Sequence, residues 1–332
     1  MSRVKILFMG TPDFAVPSLR VLLEEGYEIV GVVTQPDRPK GRKRVLTPTP
    51  VKVEALEHGI PVLQPERLRR PEAVAKVAAL APDLIVTAAY GQILPKAVLE
   101  LPRLGCINVH GSLLPKYRGG APIQYAVMNG DAESGVTIMY MAEGIDTGDM
   151  ISKVVVPITD EDTAGTLFDK LSVEGAELLR RTLPELIAGK ITAVPQNVAE
   201  ATHSPTIKRE DEQLDWSRPA NVLFNQIRGL NPWPVAYTLH NGEVFKVWMA
   251  APPKGQADST AGSASAQSLP GTVLTVNGDG IEVATGNGTL WLTEVQPSGR
   301  KAMDAAAYGR GGGIRPGDVL GADASLEGAD GL

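Results

Sequence analysis

From the N-terminus to about Gly189, short apolar runs alternate with longer amphipathic stretches. This alternation constrains the fold more than any other feature of the chain. Strands are expected at 4–9, 28–34, 61–63, 84–89, 106–110, 135–141 and 150–156. Helices are expected from a cap at Asp13 through Glu24 with a stop at Gly26, and at 51–57, 70–80, 122–129 and 163–188. Strands joined in parallel need a crossover, and a helix supplies one. The pattern therefore predicts an α/β fold with a doubly wound, parallel or mostly parallel sheet.

The pattern fades past Gly189. Residues 190–207 are polar and aperiodic, as a linker would be. A helical stretch at 220–228 is followed by five β-rich runs at 236–240, 244–250, 271–276, 280–285 and 289–295. They are punctuated by Asn241-Gly242, Asn277-Gly278 and Asn287-Gly288. Short strands with turn signals between them predict a small OB-like β-barrel. Residues 252–269, rich in Ala, Ser, Gly and Gln, read as a surface insertion, and the Gly-rich tail from Gly309 as loose. The expected organisation is a first domain over 1–189, a linker over 190–207 and a second domain over 208–332.

Composition narrows the function classes. At 332 residues with 43% hydrophobic and 21% charged side chains, the chain can bury a core and is not a disordered protein. The net charge of −6 means that any nucleic-acid partner must be met by a local basic patch. One cysteine, Cys106, rules out an internal disulfide framework, and histidines scattered at 58, 110, 203 and 240 give no zinc-like cluster, so no metal is expected. No uncharged apolar run approaches the ~18–20 residues of a membrane span. The N-terminus has no signal-peptide character, which makes a cytoplasmic, reducing setting the expectation. The chain lacks the three-glycine dinucleotide fingerprint, a Gly-Lys-Ser/Thr phosphate loop and a Gly-x-Ser-x-Gly elbow.

Four segments could carry chemistry. In Cys106-Ile107-Asn108-Val109-His110-Gly111, alternate strand side chains share a face, so Asn108 and His110 point the same way at a strand end. Ligands in open α/β sheets bind beyond the carboxyl ends of strands. There, an Asn and a His can stabilise an oxyanion and move a proton. Taken alone, the pair reads equally as a strand cap beside a semi-buried histidine. Gly144-Ile145-Asp146-Thr147-Gly148-Asp149 is a tight turn whose Asp146 either orients a histidine or is an ordinary turn residue. Ser112–Pro122 is a Pro/Gly-punctuated loop, able to present backbone groups to a flat ligand or simply to connect elements. The loop 35–50 is long for a structureless connection. It holds Arg38, Lys40, Arg42, Lys43 and Arg44, with only Asp37 opposing them. Phosphate contact is the natural use of such a cluster, and a solvated basic loop is the other.

Read together, these segments carry a resemblance. Asn108-Val109-His110-Gly111-Ser112-Leu113-Leu114-Pro115, Arg118-Gly119-Gly120-Ala121-Pro122-Ile123, Gly135-Val136-Thr137-Ile138-Met139 and Asp146-Thr147-Gly148-Asp149 resemble the formyltransferases that use 10-formyltetrahydrofolate. Gly10-Thr11-Pro12-Asp13-Phe14, Thr34-Gln35-Pro36-Asp37-Arg38-Pro39, Asp215-Trp216 and Asn231-Pro232-Trp233-Pro234 are similar to the branch that acts on initiator methionyl-tRNA. The resemblance runs to about residue 303. It implies a Rossmann-like formyl-transfer domain and a C-terminal OB-like domain that grips the tRNA acceptor stem.

It also implies site residues. Asn108, His110 and Asp146 match the catalytic set. Ser112, Leu113, Leu114 and Pro115, with Tyr90, Gly91, Gln92 and Ile93, match the folate site. Arg38, Lys40, Arg42, Lys43 and Arg44 fall in the loop that meets tRNA. The implied co-substrate is 10-formyltetrahydrofolate, without a metal, and the implied protein is a monomer that binds no membrane. Cys106 is assigned to packing. A folate enzyme acting on a small amine would share the catalytic set but has no need of the basic loop or the second domain. Between 205 and 332 there are ten Lys/Arg and fourteen Asp/Glu, so RNA contact there rests on local side chains, with Arg228, Lys246, Arg300 and Lys301 as candidates.

Overall fold

The computed structural model describes residues 4–41, 43–253 and 268–321. Arg42, the insertion residues 254–267 and the tail residues 322–332, all named above, lie outside the described residues, as does the side chain of Lys40. The chain forms two compact units. The first takes in residues up to Pro122, with Glu133–Pro157 and Phe168–Pro205. The second takes in Ile123–Ala132, Ile158–Leu167 and the chain from Thr206.

The first unit is built on β1 (Lys5–Gly10), β2 (Glu28–Val33), β3 (Arg38–Lys40), β4 (Val45–Thr47), β5 (Val62–Leu63), β6 (Leu84–Ala88), β7 (Cys106–His110), β8 (Arg118–Gly119), β9 (Glu133–Tyr140), β10 (Met150–Pro157) and β11 (His203–Ser204). Seven of these make one sheet in the order β10-β9-β7-β6-β1-β2-β5. The pairs from β5 to β7 are parallel, whereas β9 runs antiparallel to both β7 and β10. The crossovers carry α1 (Val16–Glu24), α2 (Pro50–Glu57), α3 (Pro71–Ala79) and α4 (Lys96–Leu99). At the centre, Ile6, Leu7, Phe8 and Met9 of β1 are fully buried, as a parallel strand covered on both faces requires. One core cluster joins Leu7, Met9, Val33, Leu68, Val77, Ile85, Tyr90, Leu94, Val98 and Cys106. Each such aliphatic side chain contributes about 1.5–3 kcal/mol on burial.

Three stretches depart from the expectation, one of them the tail from Gly309, where Ile314 and Leu320 are buried and Val273 N–H donates to the Asp318 carbonyl at 2.8 Å. The loop 35–50 contains a small hairpin, in which Arg38 pairs with Thr47, Pro39 with Leu46 and Lys40 with Val45. Gly41 and Arg44 take left-handed backbone at its turn, closed by Arg44 N–H on the Gly41 carbonyl. Its strands are three residues each, too short for a periodic signal. The polar stretch 190–205 belongs to the first unit: β11 pairs with β8, and Val194 bridges to Met150. These are main-chain pairings, so hydropathy does not report them.

The second unit includes α5 (Pro122–Met128) from Ile123, α7 (Ala220–Gly229), α8 (Ala305–Arg310) and an antiparallel sheet of β12 (Ala236–His240), β13 (Glu243–Ala250), β14 (Val273–Asn277), β15 (Gly280–Ala284), β16 (Thr289–Gln296) and β17 (Met303–Asp304). The long helix α6 (Ala164–Ile187) starts in this unit and continues into the first. The five expected β-rich runs are all strands. Trp216, buried, anchors this unit by donating from Nε1 to Thr238 Oγ1 at 3.0 Å. Among the described residues no helix is long and apolar enough to cross a membrane.

Candidate active site

Strand β7 sits between β6 and β9, and its alternation delivers Asn108 and His110 to one face at its carboxyl end. Thr87 lies opposite Asn108 on β6, and Thr137 opposite His110 on β9. The Thr87 hydroxyl donates to Asn108 Oδ1 at 2.8 Å, with the Ile107 carbonyl at 3.0 Å as its alternative acceptor. With its oxygen occupied by Thr87, the Asn108 amide keeps its N–H donors for a ligand beyond the strand.

His110 is nearly buried, at 6% exposure. Its Nε2 lies 3.0 Å from the Tyr117 carbonyl, which can only accept, so Nε2 carries a hydrogen. Its Nδ1 faces Asp146 Oδ1 at 3.7 Å, an ion-pair separation longer than a hydrogen bond. The other carboxylate oxygen of Asp146 accepts from Gly119 N–H at 2.9 Å. Tyr117 and Asp146 both have left-handed backbone, φ 61° and 51°. That conformation is uncommon for side-chain-bearing residues and persists where neighbours over-determine it. Here it turns the Tyr117 carbonyl and the Asp146 carboxylate toward opposite nitrogens of one imidazole. Gly148 allows the Asp146 turn, because a Cβ there would meet the Tyr140 carbonyl at 1.8 Å.

The loop after β7 is braced from inside. Ser112 and Leu114 are fully buried. Ser112 Oγ donates to the Lys116 carbonyl at 2.7 Å, and Thr137 Oγ1 receives Leu114 N–H at 3.1 Å while donating to the Ser112 carbonyl at 2.7 Å. Lys153 donates its ammonium to the Leu114 carbonyl, and burial lowers its pKa. Leu113 packs beside Gly135, and Pro115 is half-buried. The side chains of Ser112 and Leu114 thus shape the loop, leaving its backbone and edge to a ligand.

Of the segment 90–93, Tyr90 is turned into the core cluster, where burial raises its phenol pKa and its hydroxyl has no hydrogen-bond partner among the described residues. Its carbonyl accepts from Thr11 Oγ1 at 2.9 Å and Gln35 Nε2 at 3.3 Å. Gly91 is exposed with φ 86°. Gln92 bridges Leu68 N–H, at 2.7 Å, and the Pro65 carbonyl, at 3.1 Å. Ile93 stands 72% exposed, an apolar surface beside the exposed glycine. Cys106 shares the face of Asn108 but is buried against the carbonyls of Val98 and Leu99, and burial pushes its thiol up to about 12.

Of the basic cluster, the described residues Arg38, Lys43 and Arg44 lie on the β3–β4 hairpin and its turn. Arg38, Lys43 and Arg44 are exposed, and Arg38 pairs with Glu66 at 3.2 Å. Asp37, the one acid in the loop, is taken up at the hairpin base by Lys52 and Gln64, each at 2.6 Å, and Lys52 holds its carboxyl below the usual range. Val45 and Leu46 are 59% and 64% exposed beside the cations.

Three residues that touch the site were not anticipated as part of it. Thr87 orients the Asn108 amide. Arg118 and Gln196, both buried, meet through Gln196 Oε1, which accepts from Arg118 Nε at 3.0 Å and Nη2 at 2.8 Å. The only sequence signal for Arg118 was its place in the loop motif. For Gln196, in a polar aperiodic stretch, there was none. Among the described residues no group of three or more His, Cys, Asp or Glu is placed to hold a metal ion.

Comparison with known proteins shows the family. Residues 2–183 match the family described as Formyl transferase, and residues 206–313 match Formyl transferase, C-terminal domain. The methionyl-tRNA formyltransferase of Bacillus subtilis (strain 168) is 61% identical over 318 residues, covering 96% of this chain and 98% of its own length. That of Geobacillus sp. (strain WCH70) is 56% identical over 315 residues, covering 93% and 95%. Among solved structures, the Helicobacter canadensis N-formyltransferase in complex with folinic acid and dTDP-3-aminofucose shares the fold at TM-score 0.60 and 18% identity, covering 89% of this chain and 99% of that one. HypX from Aquifex aeolicus in complex with tetrahydrofolic acid does so at TM-score 0.61 and 18% identity, covering 92% of this chain and 47% of that one. A chain so alike over nearly its full length, with both of the family's domains present, belongs to the methionyl-tRNA formyltransferase family.

Proposed function

We propose that the protein transfers the formyl group of 10-formyltetrahydrofolate to the α-amino group of methionyl initiator tRNA. The observation that carries this reading is the meeting of an amide donor, an imidazole and a carboxylate at the end of β7, in a chain 61% identical to a methionyl-tRNA formyltransferase. The neutral amine attacks the formyl carbon and forms a C–N bond. The carbonyl electrons move to oxygen, giving a tetrahedral centre with an oxyanion. Collapse breaks the bond to folate N10, and the proton lost by the amine ends on N10.

Asn108 donates from Nδ2 to the oxyanion, and such a donor acts most strongly when it is fixed before the charge develops. Thr87 supplies that fixing. In its charged form His110 donates from Nε2 to Tyr117 and presents its second proton to Asp146, adding positive charge beside the oxyanion. Asp146 keeps that charge in place and passes the amine proton on through water.

The folate would lie against the backbone of Ser112–Pro115 and the Tyr90–Ile93 segment, with Ile93 and Gly91 as its exposed surface. The loop cations Arg38, Lys40, Arg42, Lys43 and Arg44 would meet phosphates of the acceptor stem. In this reading residues 1–189 carry most of the catalytic domain and 208–332 most of the tRNA-binding domain, with 190–205 belonging to the first unit and 123–132 and 158–167 to the second. The enzyme acts as a monomer in the cytoplasm, where its tRNA substrate is charged.

Transfer from 10-formyltetrahydrofolate to methionyl initiator tRNA, with elongator methionyl-tRNA, free methionine and an amino-sugar nucleotide as competing acceptors, tests the reading. Formylation confined to the initiator supports it. Transfer to the small amines alone would replace the acceptor, and release of formate without any acceptor would make the protein a hydrolase.

A further inference from the structure

The chain from Val194 to Ser204 is polar and without periodic pattern, yet it is stitched to both loops that flank His110. Val194 exchanges two main-chain hydrogen bonds with Met150, each at 2.8 Å. Thr202 accepts Tyr117 N–H on its hydroxyl at 2.8 Å and Arg118 N–H on its carbonyl at 2.9 Å. Ser204 Oγ reaches the carbonyls of Tyr117 and Arg118, each at 3.2 Å, and Gly119 lies so close that a Cβ there would meet the Ser204 carbonyl at 2.7 Å. Between these anchors sits Gln196. Its Nε2 donates to the carbonyls of Asp146 and Gly148, both at 2.8 Å.

We propose that Gln196 is a positioning residue for formyl transfer: its amide, gripped by Arg118, clamps the Asp146–Gly148 turn so that the Asp146 carboxylate faces His110. This rests on the formyltransferase reading above and deepens it. A primary amide has one oxygen and two N–H groups, and every one is engaged here. A guanidinium only donates, so the oxygen must face Arg118 and the nitrogen must face the two carbonyls. No rotated amide satisfies both sides. The two carbonyls converge on Nε2 while Asp146 holds its left-handed φ of 51°, a conformation that needs outside support in a residue with a side chain. The Arg118 charge on Oε1 polarises the amide and strengthens its two donors.

The opposite edge of the same turn is held by the neighbour of Arg118, since Gly119 N–H binds Asp146 Oδ2. One short stretch, Tyr117–Gly119, thus sets the His110 ring through the Tyr117 carbonyl, the Asp146 carboxylate through Gly119 and the Asp146 backbone through Arg118 and Gln196. A glutamate at 196 would still suit Arg118 but would turn an oxygen toward two carbonyls. The chemistry of the clamp therefore calls for an amide at this position.

The test uses Gln196→Ala and Gln196→Glu in the full chain, with thermal melting to confirm folding and 5-formyltetrahydrofolate as the binding probe. Gln196→Ala is expected to lower kcat on the order of 10- to 100-fold, the loss of two donors acting on one turn. The 5-formyltetrahydrofolate dissociation constant and the KM for methionyl-tRNA should stay within about threefold, because the clamp acts on the Asp146 turn and the proposed folate and tRNA contacts lie elsewhere. Gln196→Glu should be slow at neutral pH. Its rate relative to wild type should rise as pH falls and the carboxyl regains an O–H to donate, a pH signature that a purely structural role would not produce. Wild-type kcat in Gln196→Glu at neutral pH, or a Gln196→Ala defect confined to probe binding and KM, would overturn the proposal. Wild-type enzyme that formylates only a small amine would instead overturn the tRNA reading, and the kcat comparison on that amine would then decide the clamp separately.

Discussion

Replacing Thr87 with valine removes one hydroxyl and little else. The side chain is 2% exposed, and valine keeps its branched outline in the sheet. In the native site that hydroxyl donates to Asn108 Oδ1 at 2.8 Å, with the Ile107 carbonyl at 3.0 Å as its alternative acceptor, and so holds the amide in place. Without it the Asn108 side chain loses that support. A buried hydrogen bond of this kind contributes a net of about 0.5–1.5 kcal/mol. At about 1.36 kcal/mol per tenfold in rate, the orientation bias lost corresponds to a fall in kcat of roughly 2- to 13-fold. Folate affinity should not change, because Thr87 reaches the ligand only through Asn108. Thr87→Ser, which restores the hydroxyl, should recover most of the rate. The assay is formyl transfer at saturating tRNA, paired with 5-formyltetrahydrofolate binding. An unchanged kcat in Thr87→Val would refute the argument that Asn108 needs orienting. A loss beyond about a thousandfold would mean that Thr87 acts on the reaction directly, since a single lost donor costs on the order of 100- to 1,000-fold.

Three further outcomes follow from the geometry. Cys106, buried and with its thiol pushed up to about 12, should not react with a thiol reagent near neutral pH in the folded protein and should titrate as one thiol after denaturation; rapid labelling of the native chain would contradict its packing role. The Glu54 carboxyl is held low chiefly by its hydrogen bonds to Arg20 at 2.7 and 2.9 Å, so that contribution to stability is present above the ordinary carboxylate pKa and is lost as pH falls through the depressed one. Arg20→Met should therefore lower Tm at neutral pH and reduce the acid sensitivity of Tm; an unaltered pH profile would remove this pair from the acid-labile set. Alanine at Arg42 or Arg44 should raise the KM for tRNA and flatten its salt dependence while leaving folate binding intact, and equal loss of both affinities would sink the assignment of the hairpin to RNA.

Much of the fold could be read from local pattern, because that is where its causes lie. The apolar run at Ile6–Met9 is the buried central strand, and the two-residue period of β7 is why Asn108 and His110 share a face. The long helical pattern at 163–188 appears as α6 over Ala164–Ile187. What escaped was set by distant partners. Thr87 lies 21 positions from Asn108, and Gln196 lies 50 from Asp146 and 78 from Arg118. Nothing near Gln196 in sequence marks it, since its value comes from two loops that only the fold brings to it. The β3–β4 hairpin escaped for another reason: three-residue strands flanked by charges carry no usable period. Tyr90, named for the folate site by resemblance, has its side chain in the core cluster and its carbonyl on Thr11 and Gln35, placements that its motif alone did not announce.

The central claim is that the end of β7 performs the transfer and that Asn108 is its oxyanion donor. A single-turnover measurement tests this most directly. Enzyme loaded with 10-formyltetrahydrofolate is mixed with methionyl initiator tRNA, and formylmethionyl-tRNA is quantified in rapidly quenched samples for wild type and Asn108→Ala. The account predicts transfer by the wild type and a chemical step slower by on the order of 100- to 1,000-fold in the variant, with folate still bound. An unchanged single-turnover rate in Asn108→Ala would contradict it.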